Sequence, residues 1–332
     1  MKPEVSVIIA AYNTEAYIAQ AIESVLGQSL NNIEVIVVDD ASSDSTAEVA
    51  RSFTDKRLKV LVNKQNLGVS GARNRALREA QGKWVAVLDS DDWYAPERLE
   101  KLLQIAEANK ADMIADDLHL IRDGETQPWS TLIRESGESI DKIMVIDPVY
   151  FVKTDKYGEQ GLRLGISKPI FRRDYLVQNA ITYDEQLNIA EDFWLNMECL
   201  VRGAVFFLVP QPYYFYRSRS GSLVFSKRVQ RLEKDCKKII DFIATQDLKV
   251  KNPQLAGVLY ENLEIFKGYL SYYRVVEPIK AKQWSKALIE LARNSGFWVY
   301  FLKRIPGIIT RRIEYYVLKN KNAYGIFSSK KI

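Results

Sequence analysis

The stretch WVAVLDSDDW, residues 84–93, decides the predicted fold. Its first five residues are apolar without alternation, which is typical of a strand buried on both faces of a parallel sheet. Three carboxylates, Asp89, Asp91 and Asp92, follow within the next four residues. Ligands of open α/β sheets bind at the carboxyl ends of the strands, so we expect these acids to line a binding crevice.

Carboxylates this close together repel one another, because each anion raises the pKa of its neighbours. A hard divalent cation, Mg²⁺ or Mn²⁺, that also binds phosphate oxygens would relieve the repulsion. The alternative is a solvated acidic turn in front of the helix that begins near Pro96. The stretch by itself leaves both interpretations open.

Apolar strands alternate with helical segments in the first third of the chain. Strands are predicted at residues 5–12, 34–40, 58–63, 84–88 and 111–116. This alternation predicts an α/β domain with a doubly wound, mostly parallel sheet. The periodicity fades between residues 120 and 165, which we interpret as a loop-rich insertion with at most one short helix.

The rest of the chain is predicted to change from mixed structure to helices. A helix at residues 190–202 precedes strands at 204–209 and 213–216, and amphipathic helices follow at 227–246, 253–276 and 280–294. We therefore predict an α/β domain at residues 1–225 and a basic, mainly α-helical C-terminal region at residues 226–332.

Charge is distributed unevenly between these two regions. The chain of 332 residues has a net charge of +5. Residues 226–332 hold 22 Lys and Arg against 9 Asp and Glu, whereas residues 1–225 hold 25 against 33. The acidic first region and the lack of a recognisable motif argue against nucleic-acid binding.

The end of the chain mixes basic and apolar residues. Lys303, Arg304, Arg311 and Arg312 alternate with aromatic and aliphatic side chains between residues 297 and 322. Such a pattern suits an anionic membrane surface. Packing on the first region, or self-association with a second subunit, would use the same residues, and these interpretations stay open.

Composition and hydropathy predict a cytoplasmic protein. There are only two cysteines, Cys199 and Cys236, and no CxxC spacing that would indicate a zinc site or a disulfide framework. Residues 1–4 lead directly into a strand pattern rather than a signal peptide, and no apolar run of about 18 residues predicts a membrane-spanning helix. Peripheral attachment to the inner face of the cytoplasmic membrane is compatible with these features.

Polar and aromatic residues converge at the predicted strand ends. Tyr12 follows the first strand, Asp39 and Asp40 end the second, and Asp89 and Asp91 follow the stretch at 84–88. Acids at strand ends have no structural necessity, so this convergence indicates a site. The alternative is that Asp40 and Asp44 only cap a helix, which suits Asp44 better than Asp39 and Asp40.

Five motifs in one order resemble family 2 glycosyltransferases of the GT-A fold. They are VSVIIAAYN, VVDDASSDST, NLGVSGARNRAL, VLDSDDW and AEDFW, and the resemblance covers residues 3–225. The branch of the family that the sequence resembles contains bacterial enzymes of capsule, exopolysaccharide and wall-polymer synthesis. The resemblance therefore implies a nucleotide-sugar donor, and we expect a UDP-sugar. The acids at the second strand do not fix the base, so GDP- and dTDP-linked donors stay open.

The resemblance also implies roles for individual residues. The nucleotide would be bound by Ala11, Tyr12, Asn13, Asp39, Asp40, Arg73, Asp89 and Ser90, with Tyr12 stacking on the base and Asp40 as the main acceptor of its hydrogen bonds. Asp91 would bind Mn²⁺ or Mg²⁺ across the diphosphate, with Asp89 as the second candidate ligand. Asp92 is extra to the DxD pattern and is assigned a supporting role.

The acidic pair Glu191 and Asp192 matches the family's catalytic position, where the Asp acts as the base that takes a proton from the acceptor hydroxyl. The reaction implied is a single displacement that inverts the anomeric centre. Arg217, Arg219 and Ser222 resemble the segment that closes over the diphosphate. Lys168 could assist them, or could be a surface charge.

Other interpretations are weaker or stay open. Residues 11–16, AYNTEA, lack the GxGxxG of a dinucleotide-binding dehydrogenase. His119, the only histidine, is interpreted as a packed strand residue rather than a metal ligand.

A non-catalytic nucleotide-sugar or carbohydrate-binding protein of the same fold is the main alternative, although it would be expected to lose Asp91 or Asp192. The donor sugar, acceptor and linkage have no diagnostic residues.

Overall fold

The structure is a computed structural model that describes residues 2–187, 189–219 and 228–302. Packing divides the chain into two compact units, Met1–Phe225 and Ser226–Ile332. Each unit has its own core.

The first unit is built around one mixed sheet. Its strands are β1 Val5–Ala11, β2 Ile33–Asp39, β3 Leu58–Val62, β4 Trp84–Asp89, β5 Trp93–Tyr94, β6 Met113–Arg122, β7 Ser130–Thr131, β8 Met144–Ile146, β9 Ile170–Arg172 and β10 Phe206–Ser218. The strand order is β3-β2-β1-β4-β9-β6-β10-β5, with β7 paired to β6 and β8 paired to β10.

Helices connect and cover these strands. They are α1 Ile18–Leu26, α2 Thr46–Arg51, α3 Gly68–Glu79, α4 Arg98–Ala108, α5 Leu132–Ser136, α6 Pro148–Thr154, α7 Arg173–Gln178 and α8 Glu191–Val201, with a single 3₁₀ turn at Leu164–Ile166.

The long strand pairings are parallel, which confirms the predicted α/β fold. β1 pairs in parallel with β2 and β4, β2 with β3, and β6 with β10. The antiparallel pairings described involve only two or three residue pairs each. β1, β2 and β4 are almost entirely buried, because helices cover both faces of a sheet whose connections are strand–helix–strand.

Two local predictions were wrong. The segment expected to be a loop-rich insertion with at most one short helix contains β7, α5, β8 and α6. The strands predicted at residues 204–209 and 213–216 are one strand, β10, whose pairing with β6 shifts register between Val209 and Tyr214. Pro210 and Pro212 lie in this interval and lack the N–H needed for regular pairing, which explains the irregularity.

The second unit is helical where the structure describes it. Its helices are α9 Arg228–Thr245, α10 Leu248–Lys251, α11 Pro253–Lys280 and α12 Trp284–Arg293, and residues 295–302 are also helical. α9 buries Leu232, Cys236, Ile239 and Ile243, which recur at helical spacing. Within the described ranges, every helix is too short or too polar to cross a membrane.

Candidate active site

The carboxyl ends of β1, β2 and β4 meet at one edge of the sheet. Ala11 at the end of β1 is the parallel partner of Asp39 at the end of β2. On its other side, Ala10 of β1 is the partner of Asp89 at the end of β4. This register places the predicted nucleotide-binding positions side by side, as the strand pattern implied.

The residues after β1 are held by the loop that follows β2. The Asn13 backbone N–H donates to Ser42 Oγ at 3.0 Å, and Asn13 Oδ1 accepts from the Ser43 N–H at 2.9 Å. Asn13 has φ 52°, in the left-handed region that short polar side chains tolerate best. Tyr12, held between β1 and this turn, is 49% exposed, so its ring is accessible to a ligand.

Asp39 and Asp40 differ in their hydrogen bonding. Asp40 accepts from Asn63 Nδ2 at 2.5 Å and from the Leu67 N–H at 2.9 Å, so its carboxylate holds the loop that leads into α3. Asp39 Oδ2 accepts from the Ser42 N–H at 3.2 Å. Among the described residues, its buried Oδ1 has no hydrogen-bond partner. A buried oxygen of this kind is costly unless a donor reaches it, so Asp39 is the better acceptor for a ligand.

Arg73 of α3 joins the end of β4 to the start of α8. Its Nη2 donates to Asp89 Oδ1 at 2.6 Å. Its Nη1 donates to Asp192 Oδ1 at 2.7 Å and to Glu191 Oε1 at 2.9 Å. The guanidinium is only 2% exposed, and a buried cation of this kind is tolerated because three carboxylates surround it.

Lys168 is the second cation of this cluster, and it is buried rather than a surface charge. Its Nζ lies 2.9 Å from Asp89 Oδ2 and 2.5 Å from Asp192 Oδ2. The sequence left Lys168 open between a role beside the closing segment and a surface charge, and its local pattern could not show that the side chain is buried beside Asp192.

The two cations determine the ionisation of the cluster. Burial opposes the charged form of Asp89, but Lys168 and Arg73 outweigh burial and lower the pKa of its carboxyl group. Burial likewise disfavours the Lys168 ammonium, but Asp192 and Asp89 outweigh burial and raise its pKa well above the usual value. The pKa of Glu191 is raised by burial and by the Asp192 charge beside it. Burial and the Asp192 charge therefore act on Glu191 in the direction opposite to the effect of Lys168 and Arg73 on Asp89.

The acidic pair opens α8 from a strained backbone. Ala190, directly before Glu191, has φ 62°. A non-glycine residue in this left-handed region costs about 1 kcal/mol. Backbone strain of this kind persists where the surrounding contacts require it. The first turn of α8, directly after Ala190, carries the two acids that contact Arg73.

Asp91 and Asp92 have contrasting surroundings. Asp92 is buried and accepts from the Tyr214 hydroxyl at 2.8 Å and from the Arg217 N–H at 2.7 Å. Burial and the neighbouring Asp91 charge raise the pKa of Asp92 well above its usual value. Asp91 is partly exposed and accepts from Arg219 Nε at 2.5 Å. Asp92 therefore supports the turn from within, whereas Asp91 faces outward.

The predicted closing segment is described only in part. The Arg217 guanidinium lies between the Tyr17 ring, 5.0 Å away, and the Trp93 ring, 4.8 Å away. Arg217 Nε also donates to the Asp91 carbonyl oxygen at 2.9 Å. Ser222 lies outside the described residues, as do the basic residues from Lys303 onward.

Asp91 fits a metal ion that arrives with a diphosphate. In the part of the chain that the structure describes, no group of three or more His, Cys, Asp or Glu side chains could hold a metal ion. Mg²⁺ in nucleotide sites, however, is commonly bound by one or two carboxylates together with phosphate oxygens and water. Asp91 offers such a carboxylate through Oδ1, because its Oδ2 accepts from Arg219 Nε. Asp89, the second candidate ligand, is a poor one, because Arg73 and Lys168 occupy both of its oxygens.

The remaining sequence candidates lie near this edge in different settings. Ser90 is buried between Asp89 and Asp91. His119 stacks on Phe215 at 4.6 Å, and burial lowers the pKa of its imidazole. Sequence reasoning missed Tyr214, whose hydroxyl accepts from the Asp89 N–H at 3.2 Å and donates to Asp92. Its place in the aromatic run at residues 213–216 was the available signal.

Comparison with known proteins identifies the family. Residues 6–174 match the model of Glycosyl transferase family 2. The succinoglycan biosynthesis protein ExoO of Rhizobium meliloti (strain 1021) is 31% identical over 291 residues, which cover 86% of this chain and 80% of ExoO. The succinoglycan biosynthesis protein ExoU of the same organism is 33% identical over 236 residues, which cover 70% of this chain and 67% of ExoU. The chain therefore belongs to glycosyl transferase family 2, as its motifs predicted.

Solved structures show the same fold. The crystal structure of S. aureus TarS in complex with UDP-GlcNAc superimposes with a TM-score of 0.60 at 22% sequence identity, covering 86% of this chain and 89% of that chain. This likeness confirms the predicted GT-A fold with its C-terminal helices.

Proposed function

We propose that this chain is an inverting glycosyltransferase that moves a sugar from a UDP-linked donor to a hydroxyl group of a glycan or lipid-linked acceptor. One observation carries the proposal: Arg73 and Lys168 both bridge Asp89, at the end of β4, to Asp192, at the start of α8. Asp89, proposed to face the donor, and Asp192, proposed to take the proton of the acceptor, therefore belong to one site.

The donor side has the features that a nucleotide needs. Tyr12 offers an accessible ring for stacking, and Asp39 Oδ1 offers an unpaired acceptor for an N–H of the base. TarS, which has the same fold, is known from its complex with UDP-GlcNAc. We assign base recognition to Asp39, with Asp40 holding the loop behind it.

The acceptor side supplies the base. Asp192 would take the proton of the acceptor hydroxyl as the oxygen attacks the anomeric carbon, while the bond from that carbon to the UDP oxygen breaks. A single displacement of this kind inverts the anomeric centre. Arg217 and Arg219, which both contact Asp91, would offset the negative charge that develops on the leaving UDP.

A divalent metal ion, Mn²⁺ or Mg²⁺, would be held by Asp91 and would neutralise charge on the diphosphate. Arg219 pairs with the same carboxylate, so Asp91 already has one positive charge beside it.

The enzyme is expected to release UDP from at least one UDP-sugar in the presence of Mn²⁺. A screen of UDP-glucose, UDP-galactose, UDP-GlcNAc and UDP-GalNAc would measure UDP release with Mn²⁺ and with EDTA. EDTA is expected to lower the rate by at least about tenfold, because a metal ion contributes several kcal/mol of charge stabilisation. Saturable UDP binding without release from any donor would instead support a non-catalytic binding protein of the same fold.

The relatives suggest where the product is used. ExoO and ExoU are named for succinoglycan biosynthesis. We infer that this chain acts in the synthesis of a cell-surface polysaccharide on the cytoplasmic side of the membrane. We assign catalysis to residues 1–225 and placement of the enzyme to the basic helical region at 226–332.

The C-terminal region is proposed to bind an anionic membrane surface. Six large apolar side chains near its end are 49–66% exposed: Trp284, Leu288, Ile289, Trp298, Val299 and Leu302. Lys282, Lys286 and Arg293 lie exposed among them. From residue 281 to the end of the chain there are eleven Lys and Arg against two Glu. Exposed tryptophans flanked by cations are typical of helices that lie in the membrane interface.

Vesicle flotation tests this surface. The full chain is expected to float with vesicles that contain anionic phosphatidylglycerol, and to stay unbound with neutral phosphatidylcholine vesicles, because each basic residue near an anionic surface contributes about 1 kcal/mol. The paired substitution Trp284→Ser with Leu288→Ser should reduce flotation, whereas Val250→Ser, an equally exposed apolar residue outside the patch, should not. Unchanged flotation in the paired variant, or a concentration-dependent dimer that it disrupts, would contradict membrane docking.

A further inference from the structure

Lys168 connects the two halves of the proposed reaction. Its Nζ contacts Asp89 Oδ2 on the donor side and Asp192 Oδ2 on the acceptor side, at 2.9 and 2.5 Å. The residue is 5% exposed. Burying an ammonium group costs free energy unless anions surround it. Here the Asp89 and Asp192 carboxylates do so.

Arg73 bridges the same carboxylates through their other oxygens, Asp89 Oδ1 and Asp192 Oδ1. The two cations and the two carboxylates therefore form a closed ring in which every carboxylate oxygen contacts one cation. A single ion pair would leave the Asp192 carboxylate free to rotate, since the χ2 angle of aspartate is only weakly restricted. The ring fixes both its position and its plane.

The backbone of Lys168 is itself anchored. Its carbonyl oxygen accepts from Arg98 Nη2 at 2.8 Å. Arg98 is fully buried and pairs with Asp116 at 2.8 Å, so the attachment point of the Lys168 side chain cannot shift easily. This buried support is what a residue needs if it is to hold another side chain in place.

We propose that Lys168 is a positioning residue that orients the Asp192 carboxylate toward the acceptor hydroxyl and keeps it at a fixed distance from Asp89. The proposal rests on the proposed function, because it takes Asp192 as the base. It gives the ammonium group the Asp89 and Asp192 carboxylates as its partners and assigns it no contact with the diphosphate. Rate and UDP affinity should therefore respond differently to its removal.

Lys168→Met tests this role in the full chain. With the UDP-sugar that the wild-type protein uses best, UDP release is expected to fall by about 10²-fold, the effect of misplacing a reacting group by about 1 Å. UDP affinity, measured by calorimetry with Mg²⁺, should stay within about threefold, since the substitution removes none of the residues proposed to bind the nucleotide. Lys168→Gln should show the same fall in UDP release and the same UDP affinity, and it provides the test if Lys168→Met does not fold. Lys83→Met, which removes an exposed lysine from its ion pair with Glu107, should leave both quantities unchanged.

The double variant Lys168→Met with Asp192→Asn separates positioning from a general structural role. If Lys168 acts through Asp192, the double variant should release UDP no more than about threefold slower than Asp192→Asn, because residues that act as a unit are non-additive. Rate losses that multiply would overturn the proposal, and so would a loss of UDP affinity as large as the loss of rate, which would make Lys168 a phosphate contact. A wild-type protein that releases no UDP from any donor would overturn the proposed function itself, whereas a fully active Lys168→Met would overturn only the role of Lys168.

Discussion

Replacing Asp192 by asparagine is expected to lower UDP release from the donor by about 10³-fold, within the range contributed by a general base. Asparagine cannot take a proton at neutral pH, so the attacking oxygen would have to lose its proton to water. The affinity for UDP should change by less than about threefold, because the proposed nucleotide contacts lie at the ends of β1, β2 and β4. Steady-state rates and calorimetry on the same preparation measure both quantities.

Glu191→Gln is the matched control for this substitution. Glu191 was predicted together with Asp192 as catalytic, but the structure gives the two residues different contacts. Glu191 pairs with Arg73 at 2.9 Å, whereas Asp192 pairs with both Arg73 and Lys168. Glutamine keeps the size of Glu191 and a side-chain oxygen that can still accept from Arg73 Nη1. A loss below about tenfold is expected for Glu191→Gln, and equal losses in the two variants would show that Asp192 is not the base.

The strand ends could be predicted from sequence because they depend on short-range information. Buried parallel strands appear as continuous apolar runs, and the acids that follow them must emerge at the same edge of the sheet. For this reason the strands predicted at 5–12, 34–40 and 84–88 end in the structure within one residue of the predicted bounds, at Ala11, Asp39 and Asp89, and these ends are neighbours in the sheet.

Which of two adjacent acids faces the crevice could not be predicted in the same way. Successive side chains of a strand point to opposite faces, so Asp39 and Asp40 must diverge. The direction of each depends on where the strand ends and on what the next loop offers. Here Asn63 and Leu67 supply donors to Asp40, and this leaves Asp39 with the unpaired oxygen.

Lys168 was ambiguous for a different reason. The strand that follows it, β9, runs antiparallel between β4 and β6, so the chain returns to the centre of the sheet after an excursion of about fifty residues. Nothing in the local pattern of three strand residues specifies such a return. The helices and strands between β6 and β9 are also too short to show a hydrophobic periodicity. This is why the segment was predicted to be rich in loops.

Replacing Asp91 by asparagine is expected to remove the metal dependence of UDP binding. In the wild-type protein, UDP should bind about 10²-fold more tightly with Mn²⁺ than with EDTA, since a metal ion between a carboxylate and a diphosphate is worth several kcal/mol. Asparagine keeps one oxygen ligand but loses the negative charge that makes the site selective for a divalent cation. Calorimetric titration of UDP into each variant, with and without Mn²⁺, measures the difference directly.

The neighbouring acids provide the controls for Asp91. Asp92→Asn should keep the metal dependence, because Asp92 is buried and its oxygens accept from the Tyr214 hydroxyl and the Arg217 N–H. Asp89→Asn should keep it as well, because Arg73 and Lys168 already occupy both Asp89 oxygens. If Asp89→Asn rather than Asp91→Asn abolished the effect of Mn²⁺, the cation ring would have to open when the nucleotide binds. In that case Asp89 would be the metal ligand, and Lys168 would be released from Asp89 as a consequence.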